Sequence, residues 1–204
     1  MEMSPRLRPI VEGAQRSKLY TDHVAQIPRP MTAEGEVFPG SMVPVLATGR
    51  SGRKAAFPML WGYRVPGIER PVVNARSETA AEKSSFREGW AAHRCVIPAS
   101  WYYEWERLHT PSGAGKPGTK YAIEPKGEAL TWLCGVYRME EGFPHFVVLT
   151  REAGESVAFL HDRMPLILPE AEIDRWIDPA VNPHMLLNKA LTDMVFAPET
   201  QQKR

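Results

Sequence analysis

The chain has 204 residues, 43% of them hydrophobic, enough for one well-cored domain, and no Gly/Ser-rich linker or long charge run divides it. Lys and Arg number 25 against 24 Asp and Glu, so the net charge of +1 predicts neither a nucleic-acid binder nor an acidic-surface protein, and any phosphate binding has to come from a local basic patch. No apolar run approaches the ~18–20 residues of a membrane span and no signal peptide is visible, which makes a cytoplasmic protein without membrane contacts the expectation.

A short helix is expected near the start, with Pro9 in its first turn and Ile10, Val11 and Ala14 on its apolar side. A turn over residues 35–40 leads into a strand from Met42 to Leu46. Residues 49–54 (Gly-Arg-Ser-Gly-Arg-Lys) read as a basic hairpin loop, either a solvated turn or a phosphate contact. Residues 57–63 form a strand that sets Trp61 beside Gly62; Trp61 fits an ordinary core residue as well as a surface for a ligand. Val72 and Val73 lead to the polar cluster 74–79, at a strand end. Ser85 to Glu88 matches the capping-box pattern and predicts a short helix with Phe86 and Trp90 turned inward.

Strands are expected over 94–98, 101–106, 120–124, 130–137, 146–150 and 164–168, with a Pro/Gly-rich hairpin loop at 110–119. Ser156 to Leu160 suggests a short helix. Pro169 sits at a helix start, with Ile173, Trp176 and Ile177 as the buried stripe, and Asn182-Pro183 caps a last helix through Leu191. Many short strands and few short helices give an α+β fold class: a single β-rich domain over residues 1–204, with mixed or antiparallel strands in a barrel-like core.

Within the strand 101–106, Trp101, Tyr103 and Trp105 share one face while Tyr102 and Glu104 share the other. A carboxylate among aromatics loses solvation, which favours its neutral form and makes Glu104 a candidate general acid; a partly solvated glutamate is the plainer alternative. His161 is of the type that passes protons in both directions near neutral pH, or else is structural. Asn74 can fix a carbonyl or hydroxyl. Arg76 and Arg163 can pair bidentately with phosphate, or form ion pairs with Glu78 and Asp162. Cys95 and Cys134 both sit in apolar runs and read as buried reduced thiols, without the spacing of a zinc site. No G-x-S-x-G is present to support a triad hydrolase.

Four runs, Asn74-Ala75-Arg76-Ser77-Glu78-Thr79, Arg94-Cys95-Val96-Ile97-Pro98-Ala99, Tyr103-Glu104-Trp105 and His161-Asp162-Arg163-Met164-Pro165, resemble in this order the SOS response-associated peptidase (SRAP) family. Trp61-Gly62-Tyr63 and the Pro39-Gly40 turn also match, so the resemblance covers residues 35–177. It implies a β-rich domain, expected to be a monomer, that binds single-stranded DNA containing abasic sites. In the family, the α-amine and thiol of an N-terminal cysteine form a thiazolidine with the ring-opened deoxyribose. By that resemblance Asn74, Glu104 and His161 are catalytic: Asn74 holds nucleophile and sugar, Glu104 shuttles protons, and His161 acts on the sugar hydroxyl. Arg76, Arg163 and Trp61 are implied as DNA contacts. An aldehyde–amine condensation needs a proton donor and acceptor, so no metal or other cofactor is expected.

The opening departs from the family pattern. Met-Cys-Gly-Arg is expected and Met1-Glu2-Met3-Ser4 is found, with no cysteine before Cys95. An upstream start that restores the missing first strand is one expectation. A paralogue that binds single-stranded DNA without covalent chemistry is the other, and a thiol peptidase, as the family's name implies, is a third reading.

Overall fold

Ten short strands carry the architecture among the described residues of the computed structural model, which are 5–26, 30–107 and 117–199. β1 (Met42–Thr48) and β2 (Lys54–Trp61) form the hairpin expected around the basic loop, in register from Met42 opposite Leu60 to Thr48 opposite Lys54. The remaining strands are β3 (Asn74–Arg76), β4 (Arg94–Ala99), β5 (Tyr102–Arg107), β6 (Pro117–Pro125), β7 (Thr131–Glu140), β8 (Phe143–Glu152), β9 (Arg163–Pro165) and β10 (Met194–Pro198).

The larger sheet runs β2-β1-β4-β7-β8-β3, with β9 also on β8. A parallel pairing of Leu60 with His145 and Trp61 with Phe146 joins β2 back to β8 and closes β2-β1-β4-β7-β8 into a mixed barrel. Closure brings backbones together at Gly135 of β7, where a Cβ would lie 2.7 Å from the Val147 carbonyl oxygen and 2.9 Å from Ile97 Cδ1. Only glycine fits there. A second, three-stranded sheet runs β10-β6-β5.

Side-chain alternation divides the core into layers. Val43, Val45 and Ala47 of β1 pack with Met59, Cys95, Ile97, Phe146 and Val148 in one buried cluster. Leu46 on the opposite face joins Trp90, Val96, Trp132 and Trp176 in another. The small sheet is held by a third cluster, in which Ile123 and Met194 meet Val157, Leu160, Met164 and Ile167. Among the described residues no helix is long and apolar enough to cross a membrane.

The helices are α1 (Arg8–Gln15), α2 (Lys18–Gln26), α3 (Arg87–Ala92) and α4 (Ile173–Ile177). α1 buries Val11 and Ala14 as its pattern predicts, and α4 buries Ile173, Trp176 and Ile177. The capping box does not form: Phe86 occupies the N-cap position of α3 with no side-chain cap. The chain is already wound there, because the Lys83 carbonyl accepts from both Phe86 and Arg87 amides. Residues 155–160 make turns rather than a helix; Val157 and Ala158 donate to Gly154 O at 3.1 and 3.0 Å, but the chain leaves before a second turn can propagate. Asn182 does cap its segment, accepting from the His184 amide at 3.1 Å, and the segment is a 3-10 helix over Pro183–Lys189. The sequence reading missed α2 and β10, and residues 110–116 of the expected hairpin loop lie outside the described residues.

Candidate functional site

β3 is only three residues long, and alternation within it decides what it presents. Ala75 is buried while Asn74 and Arg76 are exposed on the opposite face. The strand runs parallel to β8, with Asn74 opposite Val148 and Arg76 opposite Thr150. Thr150 is also opposite Pro165 of β9. One residue cannot pair twice on the same edge, so β3 and β9 flank the end of β8 from opposite sides.

Arg163 at the start of β9 ties the two together. Its guanidinium makes a two-point ion pair with Glu78, Nη1 to Oε1 at 2.8 Å and Nη2 to Oε2 at 2.7 Å. Nη2 also donates to the Thr150 carbonyl at 2.7 Å, which accepts in addition from the Ser77 amide at 2.9 Å. The Arg163 hydrogen bond, opposed by partial burial and helped by the Glu78 and Glu152 amides, holds the Glu78 carboxyl at about 2. Of the two arginines singled out by sequence, Arg163 is thus engaged with a carboxylate, whereas Arg76 is exposed and has no ion-pair partner among the described residues.

Trp61 lies against the same place from the other direction. Its indole Nε1–H donates to the Val73 carbonyl at 3.0 Å, one residue before Asn74, and its ring stacks on Phe146 at 6.3 Å and 7°. The half-buried indole is both a core element and a neighbour of the polar cluster. Gly62, at φ +121° with a hypothetical Cβ 2.9 Å from Pro71, allows the following bend.

His161 is mostly buried, its side chain 23% exposed. Its Nδ1 accepts from the Arg163 amide at 2.8 Å and lies 2.8 Å from Asp162 Oδ1. These contacts exclude one another: the first needs a bare Nδ1, the second a protonated one. With the amide bond made, the ring is the Nε2–H tautomer.

On β5 the predicted faces hold. Lys120 Nζ sits 3.9 Å from the Tyr103 ring and 5.9 Å from that of Trp105, so those two share a face. Lys120 is itself held by Glu36 at 2.7 Å and Glu199 at 2.8 Å. Glu104 is half-buried on the opposite face, with Oε1 accepting from the Trp105 amide at 3.1 Å. Beside it on that face, Tyr102 has a phenol pushed upward by burial first and by the Glu104 charge second. The Tyr102 hydroxyl is buried without a hydrogen-bond partner among the described residues.

The element bearing Glu104 meets the one bearing His161 through side chains. Tyr102 and Tyr121 pack against the buried cluster that includes Leu160 and Met164, and Tyr121, opposite Glu104, touches Phe159. A chain of contacts therefore runs from Glu104 through residues 159–164 to Glu78 and β3. Sequence reasoning placed Tyr102 on the face of Glu104 by alternation but missed Tyr121, whose only signal was the register of β5 against β6, which no local pattern discloses. Two surface concavities, of about 640 Å³ beside α1 and about 740 Å³ over residues 151–156 with Thr192 and Asp193, contain none of the six predicted residues. Among the described residues no cluster of three His, Cys, Asp or Glu side chains could hold a metal ion. Cys95 and Cys134 are free, fully buried thiols whose pKa values burial pushes well up.

The chain matches the family described as SOS response associated peptidase (SRAP) over residues 6–201. It is 35% identical over 129 residues to the abasic site processing protein YoaM of Bacillus subtilis, an alignment covering 58% of this chain and 55% of that one. To the abasic site processing protein YedK of Escherichia coli it is 28% identical, over 69% of this chain and 63% of the other. The chain thus matches only about half to two thirds of the length of these curated relatives. A crystal structure of a phage-related protein from Bordetella bronchiseptica superposes with a TM-score of 0.69 at 25% identity, covering 88% of this chain and 90% of that one. With the motifs, the fold and these relatives in agreement, the chain belongs to the SRAP family.

Proposed function

We propose that this chain recognises abasic sites in single-stranded DNA, with Asn74, Glu104 and His161 as its polar reacting set and Arg76, Arg163 and Trp61 on the DNA side. What carries the reading is the convergence on β8: Trp61 anchors the residue before Asn74, and Arg163, two residues after His161, is paired to Glu78 beyond Arg76. The names of the relatives, abasic site processing proteins, agree with it. Arg76 takes a phosphate directly. Arg163 takes one only by exchanging the Glu78 carboxylate for it, and otherwise positions β3 against β9.

The chemistry follows from the groups. An amine adds to the carbonyl carbon of the ring-opened sugar, and Glu104 gives a proton to the departing hydroxyl, so that water leaves and a C=N bond forms. A thiol then adds to that carbon and its proton passes to nitrogen, closing the thiazolidine. The sequence has no cysteine before Cys95, whose nitrogen is in a peptide bond and whose thiol is buried. Neither Cys95 nor Cys134 therefore supplies the amine–thiol pair, and covalent capture requires a cysteine at a free N-terminus. The buried thiols equally disfavour a peptidase built on them.

The test is a trapping assay on single-stranded DNA containing an abasic site, run on this chain and on a version carrying Met-Cys-Gly-Arg ahead of it. The expected result is salt-dependent binding by both and a stable adduct with the extended version only, slowed by Glu104→Gln. Absence of binding by both versions overturns the proposal. An adduct formed at an unchanged rate by Glu104→Gln removes the proton-transfer role.

A further inference from the structure

Outside the residues assigned so far, three rings form a partly exposed aromatic cluster. Tyr121 on β6 is directly opposite Glu104, so both side chains leave the same face of the sheet, with Cβ atoms about 5 Å apart. Phe196 on β10 pairs with Ile123 and stands on that face, diagonal to Tyr121. Phe159 comes over them from the turn at residues 155–160. The ring centroids are 6.1 Å apart for Tyr121–Phe159, 5.7 Å for Tyr121–Phe196 and 5.2 Å for Phe159–Phe196. Tyr121 is half-buried, but Phe159 remains 52% exposed and Phe196 43%.

Folding gains little from two neighbouring phenylalanines that each leave about half their surface in water. The cluster is also continuous with the candidate site at two points. Tyr121 is the cross-strand neighbour of Glu104, and Phe159 lies two residues before His161. A nucleotide that has lost its base offers a protein no ring to stack on. Affinity for such a strand has to come from phosphates and from the bases on either side. Phenylalanine rings carry no hydrogen-bonding edge, so they hold any base by its face without reading its identity.

We propose that Phe159 and Phe196 form a stacking platform for an unpaired nucleobase flanking the nucleotide handled at Glu104 and His161. This rests on the reading that the chain binds single-stranded DNA, and it adds which part of the strand supplies the sequence-independent affinity. Tyr121 holds the two rings in place from the Glu104 side.

The experiment measures dissociation constants of the full chain for a labelled single-stranded oligonucleotide with one tetrahydrofuran abasic analogue. Two further oligonucleotides have the base next to the analogue removed on the 5′ or the 3′ side. Phe159→Ala and Phe196→Ala are each expected to weaken binding to the intact-flank oligonucleotide by about five-fold or more. On the oligonucleotide that lacks the stacked base they should change nothing further, since base and ring are two halves of one contact. Phe159→Trp should restore affinity, and the dependence on salt should stay that of the unaltered chain because no phosphate contact is touched. Equal losses on intact and base-deleted oligonucleotides, or no loss at all, overturn the platform; the latter result points to a protein partner for these rings. Failure of the unaltered chain to bind any of the oligonucleotides overturns the proposed function as well. Thermal unfolding of each variant establishes that it is folded, as expected for side chains this exposed.

Discussion

Trp61 and Val73 are joined by a 3.0 Å hydrogen bond from the indole Nε1–H to the carbonyl oxygen, which also accepts from the Val148 amide. This one carbonyl therefore fixes β2 and β8 to the chain immediately before Asn74. Trp61→Phe keeps a ring to stack on Phe146 but removes the donor. Because the Val148 amide still satisfies the carbonyl, the expected loss of stability is small, about 1 kcal/mol or less. Hydrogen exchange at the Asn74 and Ala75 amides should rise by more than exchange in β4 or β7. A uniform change across the barrel would show that Trp61 acts on the core as a whole.

The Glu78–Arg163 pair predicts a particular acid response. The folded chain holds the Glu78 carboxyl at about 2, against an ordinary 4.5. A depressed carboxylate contributes fully above about pH 4.5, and that contribution is lost as the pH falls toward 2. The Glu78 side chain is 48% exposed, so screening leaves a contribution of about 1 kcal/mol. Denaturant unfolding of the unaltered chain and of Glu78→Gln, followed over that window, should show the difference between them shrink as the pH drops. A constant difference would mean that the ion pair does not form in solution.

What was legible in the sequence was whatever a single segment decides for itself. β1, β4, β7 and β8 were visible as apolar runs of strand length, and the buried stripe of α4 as a helical repeat. β10 was not, because Met194–Pro198 is five residues ending in proline, and only its pairing with β6 makes it a strand. The closure of the barrel through Trp61 and Phe146 joins residues far apart in the chain and leaves no local trace. At the candidate site the residue types were readable, but their commitments were not. Arg163 offered phosphate and carboxylate partners equally until β9 was seen to lie beside Glu78. The aromatic neighbours of Glu104 on β5 could be sorted to faces by alternation alone, whereas Tyr121 and Phe196 required the register of three strands.

Arg94 shows how a buried cation can be structural. Its residue is 2% exposed, and its guanidinium donates only to carbonyl oxygens: Trp176 at 2.6 Å, Trp90 at 2.7 Å, Ala91 and Val181 at 2.9 Å, and Asp178. Two of these close the last turn of α3, and three fix the end of α4 and the segment that follows. Arg94→Met keeps much of the volume but strands those carbonyls, for an expected loss of about 3–5 kcal/mol. Arg94→Lys recovers part of it, since an ammonium has three donors and no planar fork. Urea midpoints rank the variants, and binding to single-stranded DNA at low temperature should survive in both, because none of these carbonyls belongs to a residue of the candidate site.

The contacts of His161 predict a coupling between its ring and the first amide of β9. The imidazole Nδ1 accepts from the Arg163 amide at 2.8 Å. Asp162 Oδ1 lies 2.8 Å from the same nitrogen and is bound only through a proton on it, so the amide and the carboxylate compete for one atom. His161→Phe keeps a ring but removes the acceptor, and the Arg163 amide should then exchange faster with solvent and shift its resonance, while the amides of β7 stay where they are. Asp162→Ala removes the competitor and should leave the Arg163 amide at least as well protected as in the unaltered chain. The guanidinium of the same Arg163 holds Glu78, two residues beyond Arg76. An Arg163 amide unmoved in His161→Phe would instead confine the histidine to its own side chain and remove the coupling.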